Sequence, residues 1–138
     1  MITRETDYAL RTALYLAKCS GDDVVSTAAL AAAMSIPYRF LRKIVSKLVA
    51  AGLVESRRGK GGGLSLSSPA SQISMLQIIQ AVDSGSVLLN RCSESGSGCA
   101  RAAHCGIQKE LAAMQQQLNA SLRGVSLEMV AARDEQAC

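Results

Sequence analysis

The stretch STAALAAAMSIPYRFLRKIVSKLVAAGLVESRRGKGGGLSLSSPA, residues 26–70, restricts the fold more than any other part of the chain. Ser26 offers a capping oxygen to the helix TAALAAAM, and Met34-Ser35 makes a turn. Pro37 lies in the first turn of the next helix, where its missing N–H costs nothing. That helix runs to about Ala51, and Gly52 stops it. Leu41, Ile44, Val45 and Leu48 form its inner face; Arg39, Arg42, Lys43 and Ser46 share the other, with Lys47 beside them. Leu64 to Ser67 alternates as a half-buried strand does, and Leu53 to Ser56 is its natural partner. Between the strands lies the loop RRGKGGG. Helix, turn, helix and basic hairpin in this order predict a mainly α chain carrying a winged helix-turn-helix with a two-stranded wing.

The flanking segments read as helices. Residues 3–19 form the first, with Thr3 as N-cap, Glu5 and Asp7 in its first turn, and Leu10, Ala13, Leu14 and Ala17 as its apolar stripe. Ser74 and Gln77 have capping-box spacing and open a helix that reaches about Asp83. A long helix is expected from about Ala100 to about Leu122, ended by Gly124. Its residues Ile107, Leu111, Met114 and Leu118 make a seam fit for a partner helix, so it is read as a dimerisation helix. Ser126 caps a short last helix, and the tail DEQAC is expected to fray. The expected division is residues 1–69 for DNA binding and 70–138 for a cysteine loop, at 91–106, and the dimerisation helix.

Charge locates the partner. Residues 24–69 hold seven Lys and Arg against one acid, Glu55, whereas residues 70–138 hold five against six. A positive field confined to the winged-helix segment points to a polyanion, here a double-stranded DNA operator. Arg39, Arg42 and Lys43 project from the early turns of the second helix of the motif, where base edges are reached in the major groove. Tyr38 is placed to touch phosphate or a thymine methyl. Arg57, Arg58 and Lys60 are positioned for the minor groove, and Gly61 and Gly62 for close backbone approach. The loop is not a nucleotide-binding P-loop, because Lys60 is followed by glycine and a strand rather than by Ser or Thr and a helix. With one histidine, no nucleophile–base pair and no nucleotide fingerprint, an enzyme is not expected. The first twenty residues carry charges throughout and resemble neither a signal peptide nor a membrane span, so a cytoplasmic protein without a membrane partner is expected.

The segment RCSESGSGCARAAHCG places Cys92, Cys99 and Cys105 with six and five residues between them. In a reducing compartment, thiols, metal ligands or redox sensors are expected in preference to structural disulfides. Zinc favours closer cysteine pairs, and His104 adjoins Cys105, so both reach one ion only with strain. An iron–sulfur cluster tolerates wider loops but requires a fourth ligand, for which Glu94, His104 and Asp7 are available. Unliganded thiols are the remaining alternative. Cys19 is read as packing and Cys138 as a terminal thiol.

With TDYALRTALYLA, the helix-and-wing segment FLRKIVSKLVAAGLVESRRGKGGGLSLSSPA, SMLQIIQAVD, VSLEMV and the three-cysteine loop, nearly the whole chain resembles the Rrf family of bacterial transcriptional regulators. The resemblance is to its nitric-oxide-sensing (NsrR-like) and iron-responsive (RirA-like) branches. It implies a homodimer, probing DNA through the winged helix, with a 4Fe–4S or, in its place, 2Fe–2S cluster held by Cys92, Cys99 and Cys105. In the branch that senses cluster supply the fourth ligand is a histidine three residues after the last cysteine; here that position is Gln108. In the nitric-oxide branch it is an aspartate of the partner's first helix, and TDYALR sets Asp7 there, although a first-turn acid serves helix capping equally well. The implied function is a repressor sensing nitric oxide, iron or redox state. A cluster-free thiol regulator, and an iron–sulfur redox protein without a DNA role, are the alternatives.

Overall fold

The computed structural model describes residues 2–19, 23–93, 98–136 and Cys138. Six helices and one hairpin follow in the order α1 (Arg4–Cys19), α2 (Thr27–Ala33), α3 (Tyr38–Ala50), β1 (Val54–Arg57), β2 (Gly63–Leu66), α4 (Met75–Asp83), α5 (Gly106–Gly124) and α6 (Leu127–Arg133). Single 3₁₀ turns occupy Ala70–Gln72, Arg91–Ser93 and Ala102–His104. Among the described residues no helix is long and apolar enough to cross a membrane.

Side-chain caps set most helix starts. The Thr3 hydroxyl accepts from the Thr6 N–H (3.2 Å), Ser26 from Ala29 (3.1 Å) and Ser126 from Met129 (3.2 Å). At Ser74 the full capping box forms, with the Gln77 side chain reaching back to the Ser74 N–H at 2.8 Å. Pro37 sits one residue earlier than expected, at the N-cap of α3 rather than inside its first turn. Beyond α3, Gly52 takes the left-handed conformation (φ 75°) that turns the chain into the wing. The strands pair antiparallel with Val54 opposite Leu66 and Arg57 opposite Gly63. Val25 adds a bridge to the other side of β2, exchanging two hydrogen bonds with Leu64 at 2.9 and 2.7 Å.

A hydrophobic cluster joins α1, α2, α3, the wing strands, α4 and α6 through Leu16, Leu30, Leu41, Ile44, Leu48, Leu64, Ile73, Ile78 and Leu127. Three sequence expectations need correcting. The buried face of α1 is Thr6, Ala9, Thr12, Ala13 and Leu16, not the stripe through Leu10, Leu14 and Ala17, which are only half-buried. Helices α3, α4 and α6 all pack on α1. This enclosure favours small side chains, and the Thr12 hydroxyl is satisfied by the Tyr8 carbonyl (2.8 Å). Helix α5 starts at Gly106 rather than near Ala100, because extended backbone at Cys105 (φ −84°, ψ 108°) separates it from the short turn before. Finally, the tail is tied down: the Lys18 ammonium donates to the Asp134 carboxylate (2.8 Å) and to the Asp134 and Gln136 carbonyls.

Candidate nucleic-acid interface and cysteine loop

Helix α3 divides as its periodicity requires. Leu41, Ile44, Val45 and Leu48 are buried, while Arg39, Arg42 and Lys43 are exposed. Tyr38 and Phe40 are also about half exposed at the start of α3, and the Arg39 guanidinium lies 5.3 Å from the centre of the Phe40 ring. Phe40 escaped the sequence reading because an aromatic residue beside a basic stripe reads as core. Arg39 and Arg42 make no ion pair among the described residues. Lys43 differs: its ammonium lies 3.4 Å from the Glu5 carboxylate of α1, and Lys47 lies 2.9 Å from the same oxygen. Lys47 also donates to the Val82 carbonyl at the end of α4 (3.0 Å). The hydrogen bond from Lys47 is the chief reason the Glu5 carboxyl is held below the ordinary glutamate range, aided by attraction to both ammonium groups and opposed by partial desolvation. Glu5 thus links α1 to α3, and Lys47 links α3 to α4, contacts the sequence did not disclose.

In the wing, Arg57, Arg58 and Lys60 are exposed and make no ion pair among the described residues. The loop geometry itself demands its glycines. A Cβ at Gly62 would fall 2.3 Å from the Arg57 carbonyl oxygen, and Gly61 is left-handed (φ 80°). The result is a tight cationic tip on a short two-stranded stem.

The cysteines are less closely gathered. Cys92 and Cys105 are half-buried, Cys99 is exposed, and all three are free. Gln108 donates to the Cys92 carbonyl (3.2 Å), which ties the turn at 91–93 to the first turns of α5, just beyond Cys105. Gln115 is buried and anchors the preceding strand of chain. Its side-chain oxygen accepts from the Leu89 N–H (2.8 Å), and its amide donates to the Val87 carbonyl (3.0 Å). Among the described residues no group of three or more His, Cys, Asp or Glu is assembled around one point. His104 is exposed; Glu94 lies outside the described residues. Asp7 pairs with Arg11 one turn on (2.7 Å), and both side chains are well exposed.

The remaining two cysteines depart from expectation: Cys19 and Cys138 form a disulfide across a sequence separation of 119 residues. The physical reason is the packing of α6 against α1, which carries the end of the chain back to the end of the first helix. Nothing local in the sequence marks that approach.

The Rrf2 family model, described as an iron-dependent transcriptional regulator, matches residues 2–133. The chain belongs to the Rrf2 family. Similar proteins span most of it. Protein aau3 of Rhizobium meliloti is 34% identical over 120 residues, covering 86% of this chain and 75% of its own. The HTH-type transcriptional repressor NsrR of Streptomyces coelicolor is 29% identical over 122 residues, covering 88% and 81%. Among solved structures, the oxidized form of CymR from Staphylococcus aureus superimposes with a TM-score of 0.74 at 26% identity, covering 99% of both chains. The winged-helix architecture and the role as a transcriptional regulator rather than an enzyme follow from this membership.

Proposed function

We propose that this Rrf2-family regulator is a homodimeric repressor whose affinity for a DNA operator is set by an iron–sulfur cluster. The observation that carries the DNA-binding part is the combination of exposed Arg39 and Arg42 on α3, which make no ion pair among the described residues, with the cationic wing tip at Arg57, Arg58 and Lys60. In this reading Arg39 and Arg42 reach base edges in the major groove, with Tyr38 beside them. Lys43, held by Glu5, contacts phosphate. The wing, with Gly61 and Gly62 at its tip, enters the minor groove.

Cys92, Cys99 and Cys105 supply three free thiols, the donor chemistry that a cluster takes, and Asp7 of the partner subunit is the proposed fourth ligand. A 4Fe–4S cluster is favoured over 2Fe–2S on the resemblance to the NsrR-like branch, whose name a Streptomyces relative carries. When bound, the cluster supplies reactivity toward nitric oxide, iron supply or oxidants. The chain's own part is to transmit it. Gln108 and Gln115 fasten the N-terminal side of the cysteine loop to α5, and its C-terminal side runs directly into that helix, so a change in the loop reaches the proposed dimer seam and hence the spacing of the two α3 helices.

A second reading, a cluster-free thiol regulator, is favoured by two observations. The three cysteines are not gathered among the described residues, and a structural relative at 26% identity is an oxidized CymR. An anaerobic absorption spectrum with iron and sulfide assays separates the two. Iron and sulfide at cluster stoichiometry, with a visible band bleached by nitric oxide, support the first; no iron after anaerobic reconstitution supports the second. For the DNA face, Arg42→Ala is expected to cost about 1–3 kcal/mol of operator binding while random DNA loses less. Equal loss on both would make Arg42 a phosphate contact.

A further inference from the structure

The disulfide between Cys19 and Cys138 lies apart from the cysteine loop and next to the helix-turn-helix. Cys19 is the last residue of α1, half-buried; Cys138 is exposed. Together with Tyr15, Ala33, Met34 and Gln136 they line a cavity of about 80 Å³. Met34 and Ser35 form the turn between α2 and α3, where Ser35 adopts a left-handed backbone (φ 53°) and the Ile36 N–H closes the turn on the Ala31 carbonyl (2.9 Å). The tail and α1 lie beside this turn. Lys18, only 15% exposed, draws in Asp134 and Gln136, while Arg11 of α1 donates to the Met34 carbonyl (3.5 Å). Arg11, Met34, Ser35, Asp134 and Gln136 line one continuous groove. The chain's last residues are therefore strapped beside the turn that aims α3.

We propose that Cys19 and Cys138 form a second, reversible redox site whose disulfide straps the C-terminal tail beside the helix-turn-helix turn, and whose reduction releases it. The co-reactant is a dithiol reductant. Its thiolate attacks the sulfur of Cys138, the exposed member, and Cys19 leaves as a thiolate that takes a proton. The reductant's second thiol then attacks the mixed disulfide and frees Cys138. Two electrons and two protons pass to the cysteine pair, and the reductant leaves as its own disulfide; exchange with a disulfide oxidant reverses the step. The oxidised state holds the turn and preorganises α3, so reduction lowers operator affinity. That last consequence rests on the DNA-binding reading above.

The test uses the full chain equilibrated in a series of thiol–disulfide buffers and trapped by alkylation. Peptide mass spectrometry is expected to show Cys19 and Cys138 titrating together as one couple. Amide exchange at residues 33–36 is expected to accelerate several-fold on reduction, and to be fast in every buffer in Cys138→Ser. Operator Kd is expected to weaken by about fivefold or more in the wild type. That loss should exceed any effect of the reductant on Cys138→Ser, which keeps the cysteines at 92, 99 and 105. Free thiols at 19 and 138 in every buffer, or exchange at 33–36 indifferent to their state, overturn the site. A responsive turn with unchanged Kd overturns its control of DNA binding. A responsive turn in a protein that binds no DNA supports the redox site and removes the DNA-binding reading instead.

Discussion

The carboxylate of Glu5 faces two ammonium groups of α3, Lys43 at 3.4 Å and Lys47 at 2.9 Å. Its pKa in the fold lies below its unfolded value, mainly through the Lys47 hydrogen bond. The stabilisation is therefore fully present above the ordinary glutamate pKa of 4.5 and is lost as pH falls through the lowered folded value. Glu5→Gln is expected to destabilise the protein by under about 1 kcal/mol at pH 7, because the side chains remain in contact with solvent. The difference from wild type should shrink between pH 7 and an acidic pH below the lowered folded value. Urea unfolding of both proteins at the two pH values checks this; a gap that persists in acid would assign the effect to packing. At this scale the exposed cations of α3 and the wing were legible, because periodicity alone determines which side of a helix is wet. The pairing of Glu5 with Lys47, 42 residues away, was not, since no local pattern encodes a contact made by tertiary packing.

Helix α5 shows how an element can be foreseen in kind and missed in its bounds. Its heptad-like spacing is readable, but a start near Ala100 comes too early, because the chain first makes a 3₁₀ turn and an extended residue. The Gln115 anchor was also invisible: a glutamine amid QQQ reads as solvent-facing, yet it is only 7% exposed. It completes the hydrogen bonding of Leu89 and Val87 and contacts Asn119 at 3.0 Å. Gln115→Ala leaves two backbone groups unpaired and is expected to cost about 1–3 kcal/mol. Thermal unfolding reads that loss, and amide exchange should localise it to Leu89, with the exchange of α2 and α3 unchanged. Equal acceleration throughout the chain would mean that Gln115 supports the whole fold and not the base of the cysteine loop. By contrast α4 was readable to the residue, because the Ser74–Gln77 capping box is a local arrangement.

For the whole molecule, the residues left uncovered by one chain define the proposed dimer contact. Ile107 is 71% and Met114 52% exposed on α5, with Leu111 and Leu118 half-buried on the same seam. Met114→Asp is expected to place an unpaired charge in the two-fold seam and yield monomers by sedimentation at micromolar concentration. An undisturbed dimer would put the contact elsewhere. The cross-link between Cys19 and Cys138 acts on the same scale but on the other side of the equilibrium. It closes nearly the entire chain into a loop, its ends at a sequence separation of 119. Such a closure restricts the unfolded ensemble far more than the folded one, where α6 already lies against α1. Cys138→Ser is accordingly expected to lower stability by about 2–5 kcal/mol in oxidising buffer. In reducing buffer, where the wild type has lost the same constraint, the two proteins should unfold nearly together. Denaturant unfolding of both under each condition reads out the difference. Equal midpoints in oxidising buffer would mean that the closed loop confers no net stability, and a gap surviving reduction would move the cause to the packing of Cys138 itself.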